Sequence, residues 1–333
     1  MLFFFMSYVP FMAAILAFIV TYIATNWLIR YLRKIKLLVK DMNKKNTPLV
    51  PISGGLAVIS GIFVGLMFYI FFQTFYFKYT NTLLYIFAAL TSIIMITFVG
   101  FVDDIIIKKN KESSSGLKQW QKPLLTLSAA IPLMVVNAGV TTMALPFFGR
   151  IDIGLVYPLL FIPIGVIGAA NMINMLAGFN GVEVGMGIIY IGMLGLYSFI
   201  NNREVATLIA LITLASLIAF YLYNKYPAKI LPGDSLTYLL GGVIVTIAIL
   251  GNIEKAALIA SIPFFIEFVL KARSKFKAKS YGYYKDGKIK SYYNSKIYSI
   301  PHLLTRTGKY TEKQIFWFMI LIELFFCSLI WII

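Results

Sequence analysis

Cysteine, histidine and acidic residues are scarce in this chain. It has 333 residues, with one cysteine, one histidine and only 13 aspartates and glutamates. A single cysteine, Cys327, excludes a disulfide framework and any metal site built from cysteines. Against 30 lysines and arginines, the shortage of acids leaves a formal net charge of +17.

Charged residues as a whole make up only 13% of the chain, whereas hydrophobic residues make up 60%. Soluble domains are typically about 45–50% apolar and about 25% charged. The composition therefore predicts an all-α membrane protein with several spans. The first apolar run has no basic start and no small-residue cleavage site, so we expect a retained helix and not a signal peptide.

Apolar runs of about 20 residues predict helices that span a membrane. Ten such runs occur, and we interpret residues 1–333 as one integral membrane domain. The predicted spans are 7–31, 52–72, 82–102, 123–143, 155–173, 185–200, 204–224, 235–251, 256–271 and 315–333.

The basic residues orient these spans. Of the 30 lysines and arginines, 26 fall at odd-numbered loops and only four at even-numbered ones. The positive-inside rule then places the odd loops in the cytoplasm and both termini outside, in the cell membrane or an ER-type membrane. Basic loops of this kind meet anionic lipid head groups, and no aromatic, basic domain is present that would bind nucleic acid.

The longest loop, residues 272–314, separates the ninth and tenth predicted spans and is strongly basic. Within it, "GYYKDGKIKSYY" places Asp-Gly between two aromatic-rich arms, which predicts a short β-hairpin.

Acidic residues close to a span are costly and often functional. Asp103 and Asp104 end the third span in "FVGFVDDIII" and would repel each other without a cation or basic partner. The alternative is a solvated helix end, although carboxylates at a helix C-terminus are disfavoured by its dipole. Asp234, in "KILPGDSLTYLL", is either a simple helix N-cap or a site residue.

The stretch "NMINMLAGFNGVEVG" combines amides with a glycine turn. Asn171 and Asn174, spaced i and i+3, share one helix face and either hold helices together or bind a ligand. The glycines allow backbone amides to approach a ligand. Glu183 is a first-turn acid or a loop residue, and Glu323, within the last span, is either paired or lines an interior groove.

Apart from Glu323, the suspect polar groups fall at cytoplasmic ends of the predicted spans, with Lys122 and the basic loop beside them. Carboxylate and amide oxygens suit Mg²⁺, which commonly bridges phosphates. A basic loop nearby suits a phosphate-bearing substrate. The residues therefore predict a cytoplasmic, Mg²⁺-assisted site that acts on a phosphorylated substrate, with a membrane lipid as second reactant.

Three motifs in this order, "FVGFVDDI", "NMINMLAGFNGVEVG" and "LPGDSLTYL", resemble the polyprenyl-phosphate N-acetylhexosamine-1-phosphate transferases. The resemblance implies ten spanning helices, a cytoplasmic Mg²⁺ site (with Mn²⁺ as an alternative ion), and transfer of a sugar phosphate from a UDP-sugar to a lipid phosphate with release of UMP. The wording "AGFNGVE" is similar to the eukaryotic and archaeal UDP-GlcNAc:dolichyl-phosphate branch. "HLLTRTGKYTEKQ" resembles the tail of a bacterial histidine box from which only His302 remains, and this combination is typical of an archaeal enzyme.

The resemblance also implies roles for individual residues. Asn174 and Asp234 match the metal ligands, Asp103 and Asp104 an acidic pair near the metal or the lipid phosphate, and Lys122 a lysine that neutralises the transferred phosphate. Substrate contacts are implied for Asn171, Gly178, Asn180, Glu183, Arg273, His302 and Arg306, with Lys271 and Lys275 as further candidates for the diphosphate. One departure is Leu231, which stands where related proteins have an aromatic residue that stacks on uracil.

We therefore expect an enzyme that transfers GlcNAc-1-phosphate from UDP-GlcNAc to dolichyl phosphate, the first membrane step of glycan assembly, as in protein N-glycosylation. The alternatives are another UDP-hexosamine or undecaprenyl phosphate in cell-surface polysaccharide synthesis, and a transporter or flippase for an anionic lipid. A CDP-alcohol phosphotransferase would need an Asp-Gly-x-x-Ala-Arg signature, which is absent. Membrane lipids and a second copy of the chain, forming a homodimer, are the expected partners.

Overall fold

Apolar helices dominate the computed structural model, which describes residues 8–110, 116–118, 120–146 and 148–332. Within these residues, eight helices are long and apolar enough to cross a membrane. Short π-helical turns extend the second of them and precede the fourth. The α-helices are α1 (Val9–Lys34), α2 (Gly55–Phe71), α3 (Leu83–Asn110), α4 (Gln121–Leu127), α5 (Ile131–Val136), α6 (Ile162–Met175), α7 (Val182–Ile200), α8 (Glu204–Asn224), α9 (Gly233–Gly251), α10 (Glu254–Ala260), α11 (Ile262–Ala272), α12 (His302–Thr305) and α13 (Glu312–Ser328).

Two of the ten predicted spans are interrupted. The predicted fourth span, 123–143, is helical only as far as Val136, as α4 and α5 joined by a 3₁₀ turn, and its continuation to 143 was wrong because the chain turns at Asn137 into a β-strand. The predicted ninth span is split at Ser261 into α10 and α11, since Pro263 in the first turn of α11 has no N–H to continue the preceding helix. The start of the first predicted span, residue 7, lies outside the described residues.

In the part of the chain that the structure describes, three two-stranded antiparallel hairpins join the helices. The hairpin predicted around Asp286-Gly287 is confirmed, and both turn residues have the positive φ, 47° and 80°, that a tight two-residue turn requires. The other two hairpins were not predicted. The strand pairs are β1 (Leu38–Lys40) with β2 (Leu49–Pro51), β3 (Thr142–Leu145) with β4 (Gly149–Asp152), and β5 (Tyr283–Lys285) with β6 (Lys288–Lys290).

Helix α9 lies at the centre of the bundle and is buried along most of its length. It packs against α2, α3, α6, α7 and α8. Glycines allow the closest approaches: a Cβ at Gly100 of α3 would collide with the backbone carbonyl of Asp234, and one at Gly55 of α2 would collide with the backbone of Ser235. These contacts fix the first turn of α9 against its neighbours.

The outer surface of the bundle is apolar. Trp27, Phe98 and Leu321 on three different spanning helices are each about 60% exposed, at 59%, 61% and 62%. A soluble protein rarely exposes such a continuous apolar surface, whereas lipid-facing helices require one. The protein is therefore an integral membrane protein.

The ends of several helices meet at one end of the bundle, which we call the polar end. There α3 and α6 finish, α4 and α9 begin, and the loops that contain β1–β2 and β5–β6 cover them. Five of the acids and amides singled out in the sequence lie at these helix ends: Asp103, Asp104, Asn171, Asn174 and Asp234.

Candidate active site

Asp104 accepts hydrogen bonds from the first backbone N–H groups of α9. Its Oδ1 accepts a hydrogen bond from the Asp234 N–H at 2.7 Å, and its Oδ2 accepts one from the Ser235 N–H at 3.1 Å. The residue that precedes α9, Pro232, supplies no side-chain cap. Since the first N–H groups of a helix have no partner within it and carry partial positive charge, the buried Asp104 carboxylate stabilises the start of α9.

Lys122 joins the other two aspartates. Its Nζ lies 2.5 Å from Asp103 Oδ2 and 3.2 Å from Asp234 Oδ2, so that the ammonium bridges carboxylates from α3 and α9. Burial works to lower the pKa of Lys122, but the neighbouring Asp234 and Asp103 carboxylates outweigh it and hold the pKa above its usual range. The lysine is therefore a permanent cation at the polar end.

The two amides of α6 lie beside this group. Asn174 Oδ1 accepts a hydrogen bond from Thr237 Oγ1 at 3.2 Å, and the Asn174 side chain also hydrogen-bonds the Asp234 carboxylate. Asn171 uses its Nδ2 to donate to Ile167 O within its own helix, at 2.8 Å. Both asparagines line one cavity, so their i, i+3 spacing does place them on a shared face.

The side chains present here fit a hard divalent cation. Asp103, Asp234 and Asn174 offer carboxylate and amide oxygens close together, and the ammonium between the two carboxylates shows that the place attracts positive charge. In the described part of the chain, no three His, Cys, Asp or Glu side chains are grouped so as to hold a metal by themselves. The oxygen set therefore suits an ion such as Mg²⁺, which keeps several waters.

A cavity of about 670 Å³ opens beside the aspartates and the amides. It is large enough for a small-molecule ligand of several hundred daltons. Its charged and polar lining residues include Lys40, Asp41, Lys122, Asn171, Asn174, Asn180, Glu183, Asp234, Thr237, Lys271, Lys279 and Ser280, and its aromatic ones are Phe179, Phe268, Phe276 and Tyr281.

The glycine turn between α6 and α7 forms part of the cavity wall. Gly178 and Gly181 have φ of 144° and 79°, which only glycine adopts without strain. Gly178 N donates to Glu183 Oε1 at 2.8 Å, and its carbonyl accepts from Asn43 Nδ2 at 2.5 Å. Glu183 thus holds the turn from the first turn of α7, and Asn43 holds it from the β1–β2 loop.

Asn180 is engaged with protein partners on every side. Its Nδ2 donates to Asp41 Oδ2 at 3.0 Å, its Oδ1 accepts from Ala228 N at 2.9 Å, and its backbone N donates to Glu312 Oε1 at 2.8 Å. Lys44 forms ion pairs with Asp41 and Glu312. The amide of Asn180 therefore ties the turn to the β1–β2 loop, to the loop before α9 and to α13.

His302 is fully buried and does not line the cavity. Its Nδ1 accepts from Tyr298 N at 3.2 Å, and its Nε2 lies 3.0 Å from Lys279 O, so Nε2 carries the proton. Burial, and then the positive charge of Lys271, lowers the pKa of His302 to about 4. In this arrangement the imidazole is neutral at physiological pH and supports the loop that carries Lys279.

The predicted basic residues of the long loop divide between the cavity and solvent. Arg273 and Arg306 are exposed and do not line the cavity, and neither does Lys275. Lys271 does line it, but its Nζ donates to Ala278 O at 2.7 Å and to Ser280 Oγ at 2.8 Å.

Two cations on the cavity wall were not singled out in the sequence. Lys279 is half-buried and Lys40 is exposed. Their sequence signal was only that each belongs to a run of basic residues. Glu323 lies elsewhere, buried in the bundle, and accepts a hydrogen bond from Cys327 Sγ at 3.4 Å.

Known proteins are similar to this chain over the part that contains these helix ends. The family described as "Glycosyl transferase family 4" matches residues 86–252. A Saccharolobus solfataricus protein, provisionally named UDP-N-acetylglucosamine–dolichyl-phosphate N-acetylglucosaminephosphotransferase, is 34% identical over 90% of this chain and 89% of its own. A Dictyostelium discoideum protein with that name is 27% identical over 85% and 78% of the two chains. The phospho-N-acetylmuramoyl-pentapeptide-transferase of Staphylococcus carnosus is 29% identical over 78% and 80%. The family match includes the aspartates, Lys122 and the amides, and ends before the basic loop.

Proposed function

Because this chain belongs to glycosyl transferase family 4, a family of membrane glycosyl-1-phosphate transferases, we propose that it transfers GlcNAc-1-phosphate from UDP-GlcNAc to dolichyl phosphate. The names of its relatives support this choice of substrates. The observation that carries the proposal is Lys122, bridging Asp103 and Asp234 on the wall of a cavity large enough for a nucleotide sugar. The polar end would face the cytoplasm, as the distribution of basic residues predicts.

In the proposed reaction, an oxygen of the lipid phosphate attacks the β-phosphorus of UDP-GlcNAc. A new P–O bond forms to the lipid phosphate, while the bond from the β-phosphorus to the bridging oxygen breaks and UMP leaves with the electron pair. The lipid phosphate is already an anion at neutral pH, so no general base is required. Catalysis then depends on neutralising two anions and aligning them in line.

The side chains divide this work. Lys122 would neutralise charge on the transferred phosphate, and Asp103, buried and paired with Lys122, would hold the ammonium in position. Asp104 would act indirectly, because it holds the start of α9 and with it Asp234. Mg²⁺ bound by Asp234 and Asn174 would supply further positive charge at the diphosphate.

Lys279 is the cation that we assign to the diphosphate from the side of the basic loop. It lines the cavity, and its backbone is held by His302 through Lys279 O and by Tyr293, whose hydroxyl oxygen accepts from Lys279 N at 2.9 Å. His302 would therefore contribute by positioning Lys279.

The test uses membranes that contain the protein, dolichyl phosphate, Mg²⁺ and UDP-GlcNAc labelled in the sugar. We expect a labelled lipid that releases free GlcNAc on mild acid treatment, because the anomeric C–O bond of a glycosyl phosphate is acid-labile, together with one UMP for each lipid formed. Parallel reactions with other UDP-hexosamines and with undecaprenyl phosphate distinguish the alternative substrates. Release of UDP in place of UMP, or the absence of a labelled lipid with every donor, would contradict the proposal.

A further inference from the structure

Tyr281 of the basic loop lines the cavity directly against the glycine turn. A Cβ built on Gly178 would lie 3.0 Å from Tyr281 Cδ1 and 3.2 Å from Tyr281 Cβ. The turn and the tyrosine therefore touch with no side chain between them. An aromatic ring thus lies beside the turn on the cavity wall.

The segment that carries the tyrosine is fixed to the turn by one side chain. Asn43 Nδ2 donates to Gly178 O at 2.5 Å, and Asn43 Oδ1 accepts from Gly282 N at 3.3 Å. Tyr292 packs edge-on to the Tyr281 ring, with centroids 6.4 Å apart and planes at 83°. A ring held in this way loses little freedom when a ligand binds.

The other aromatic residues of the cavity are less suited to contact a ligand beside the turn. Phe179 is only 2% exposed, and Phe268 and Phe276 pack on each other with centroids 5.3 Å apart. Leu231, which also lines the cavity, has no planar face. Lys279 Nζ lies over the Tyr281 ring, 5.5 Å from its centroid, so the tyrosine has a cation next to it.

We propose that Tyr281 is the aromatic platform on which the uracil of the UDP-sugar stacks, beside Gly178. The proposal rests on the function proposed above, because it takes a nucleotide as the ligand of the cavity. Nucleobases stack on aromatic side chains without needing specific hydrogen bonds, which suits a residue that acts through the face of its ring. Tyr281 is then a nucleotide-binding residue, supplied by the loop that lies outside the family match.

The experiment compares Tyr281→Ala, Tyr281→Leu and Tyr281→Phe in the full-length protein. Loss of one stacking contact corresponds to roughly a tenfold or greater loss of nucleotide affinity. We expect Ala and Leu to raise the KM for UDP-GlcNAc by at least that factor, with kcat within about threefold and the KM for dolichyl phosphate unchanged. Phe should stay within about twofold of the wild type. Leu keeps most of the bulk, so it separates stacking from simple filling of space.

Binding of UMP to the purified protein, measured without turnover, separates this proposal from the proposed function. If the wild type binds UMP and Tyr281→Leu weakens that binding tenfold, the platform stands even if no GlcNAc-lipid is formed. Tyr284 is an exposed residue on the same hairpin, and Tyr284→Ala is the matched control. It should change neither the affinity for UMP nor the KM for UDP-GlcNAc. Unchanged UMP binding in Tyr281→Leu would overturn the platform, and so would tighter binding, which would mean that the ring blocks the site.

Discussion

The two sides of the cavity wall are built in different ways. On one side, Lys122, Asn174 and Asp234 lie on helix ends whose positions are set by packing around α9, and the buried Asp103 pairs with Lys122. On the other side, the long basic loop reaches the cavity with Lys279 and Tyr281, while Arg273 and Arg306 are exposed and do not line it. A helix end places a residue by its spacing along the chain, whereas a loop places it by hydrogen bonds to distant partners.

Removing the cation on the helix side of the cavity should have the largest effect on activity. We expect Lys122→Ala to lower kcat/KM by about 1,000-fold, because two buried or half-buried carboxylates and the transferred phosphate lose their shared positive charge. Lys122→Arg should recover part of the rate. Lys118→Ala, an exposed lysine of the same segment, is the control and should stay near the wild-type rate in the lipid transfer assay. Equal losses in both alanine variants would mean that general basicity, and not this bridge, is what matters.

On the loop side, acid should weaken the structure through His302. Its folded-state pKa of about 4 lies below the ordinary value of 6.5, so below pH 6.5 the unfolded chain binds a proton that the folded protein does not. The free energy of unfolding is highest above pH 6.5 and falls as the pH drops from 6.5 to about 4, by on the order of 3 kcal/mol in total. Thermal unfolding in detergent between pH 7 and pH 4 measures it. His302→Gln, which does not titrate there, should show a smaller fall than the wild type, and identical slopes would contradict this role.

Substitutions of Asp104 test how the start of α9 is held in place. We expect Asp104→Ala to destabilise the protein by about 1–2 kcal/mol through loss of the cap on α9. Asp104→Asn, which keeps one acceptor, should lose less. Hydrogen exchange of the Asp234 and Ser235 amides is the specific measurement, and both should become less protected while α8 stays unchanged. Unaltered protection in Asp104→Ala would show that the cap does not hold this helix end.

The sequence predicted the helix side of the site better than the loop side, for physical reasons. Asp234 looked like an ordinary N-cap, but the capping oxygens come from Asp104, some 130 residues earlier in the chain, and only the packing of α3 on α9 reveals this. The Asp286-Gly287 hairpin was predictable because its turn chemistry is local. The hydrogen bond of His302 is to Lys279 O, 23 residues earlier, and charge counts did not show it. The break at Ser261 depends on one proline, Pro263, within an apolar run, and hydrophobicity did not show it.

Within the basic loop, the lysine that lines the cavity can be compared with the exposed arginines. We expect Lys279→Ala to raise the KM for UDP-GlcNAc about tenfold, since one charge-assisted contact to the diphosphate is lost while the bridge at Lys122 remains. Arg273→Ala and Arg306→Ala remove the same charge from exposed positions and should change KM by less than about twofold. Steady-state kinetics at fixed ionic strength separates the three variants, because a general loss of positive charge would affect them equally. If Arg306→Ala had the larger effect, substrate binding would have to move this loop, and the division between the two sides of the wall would no longer describe the occupied site.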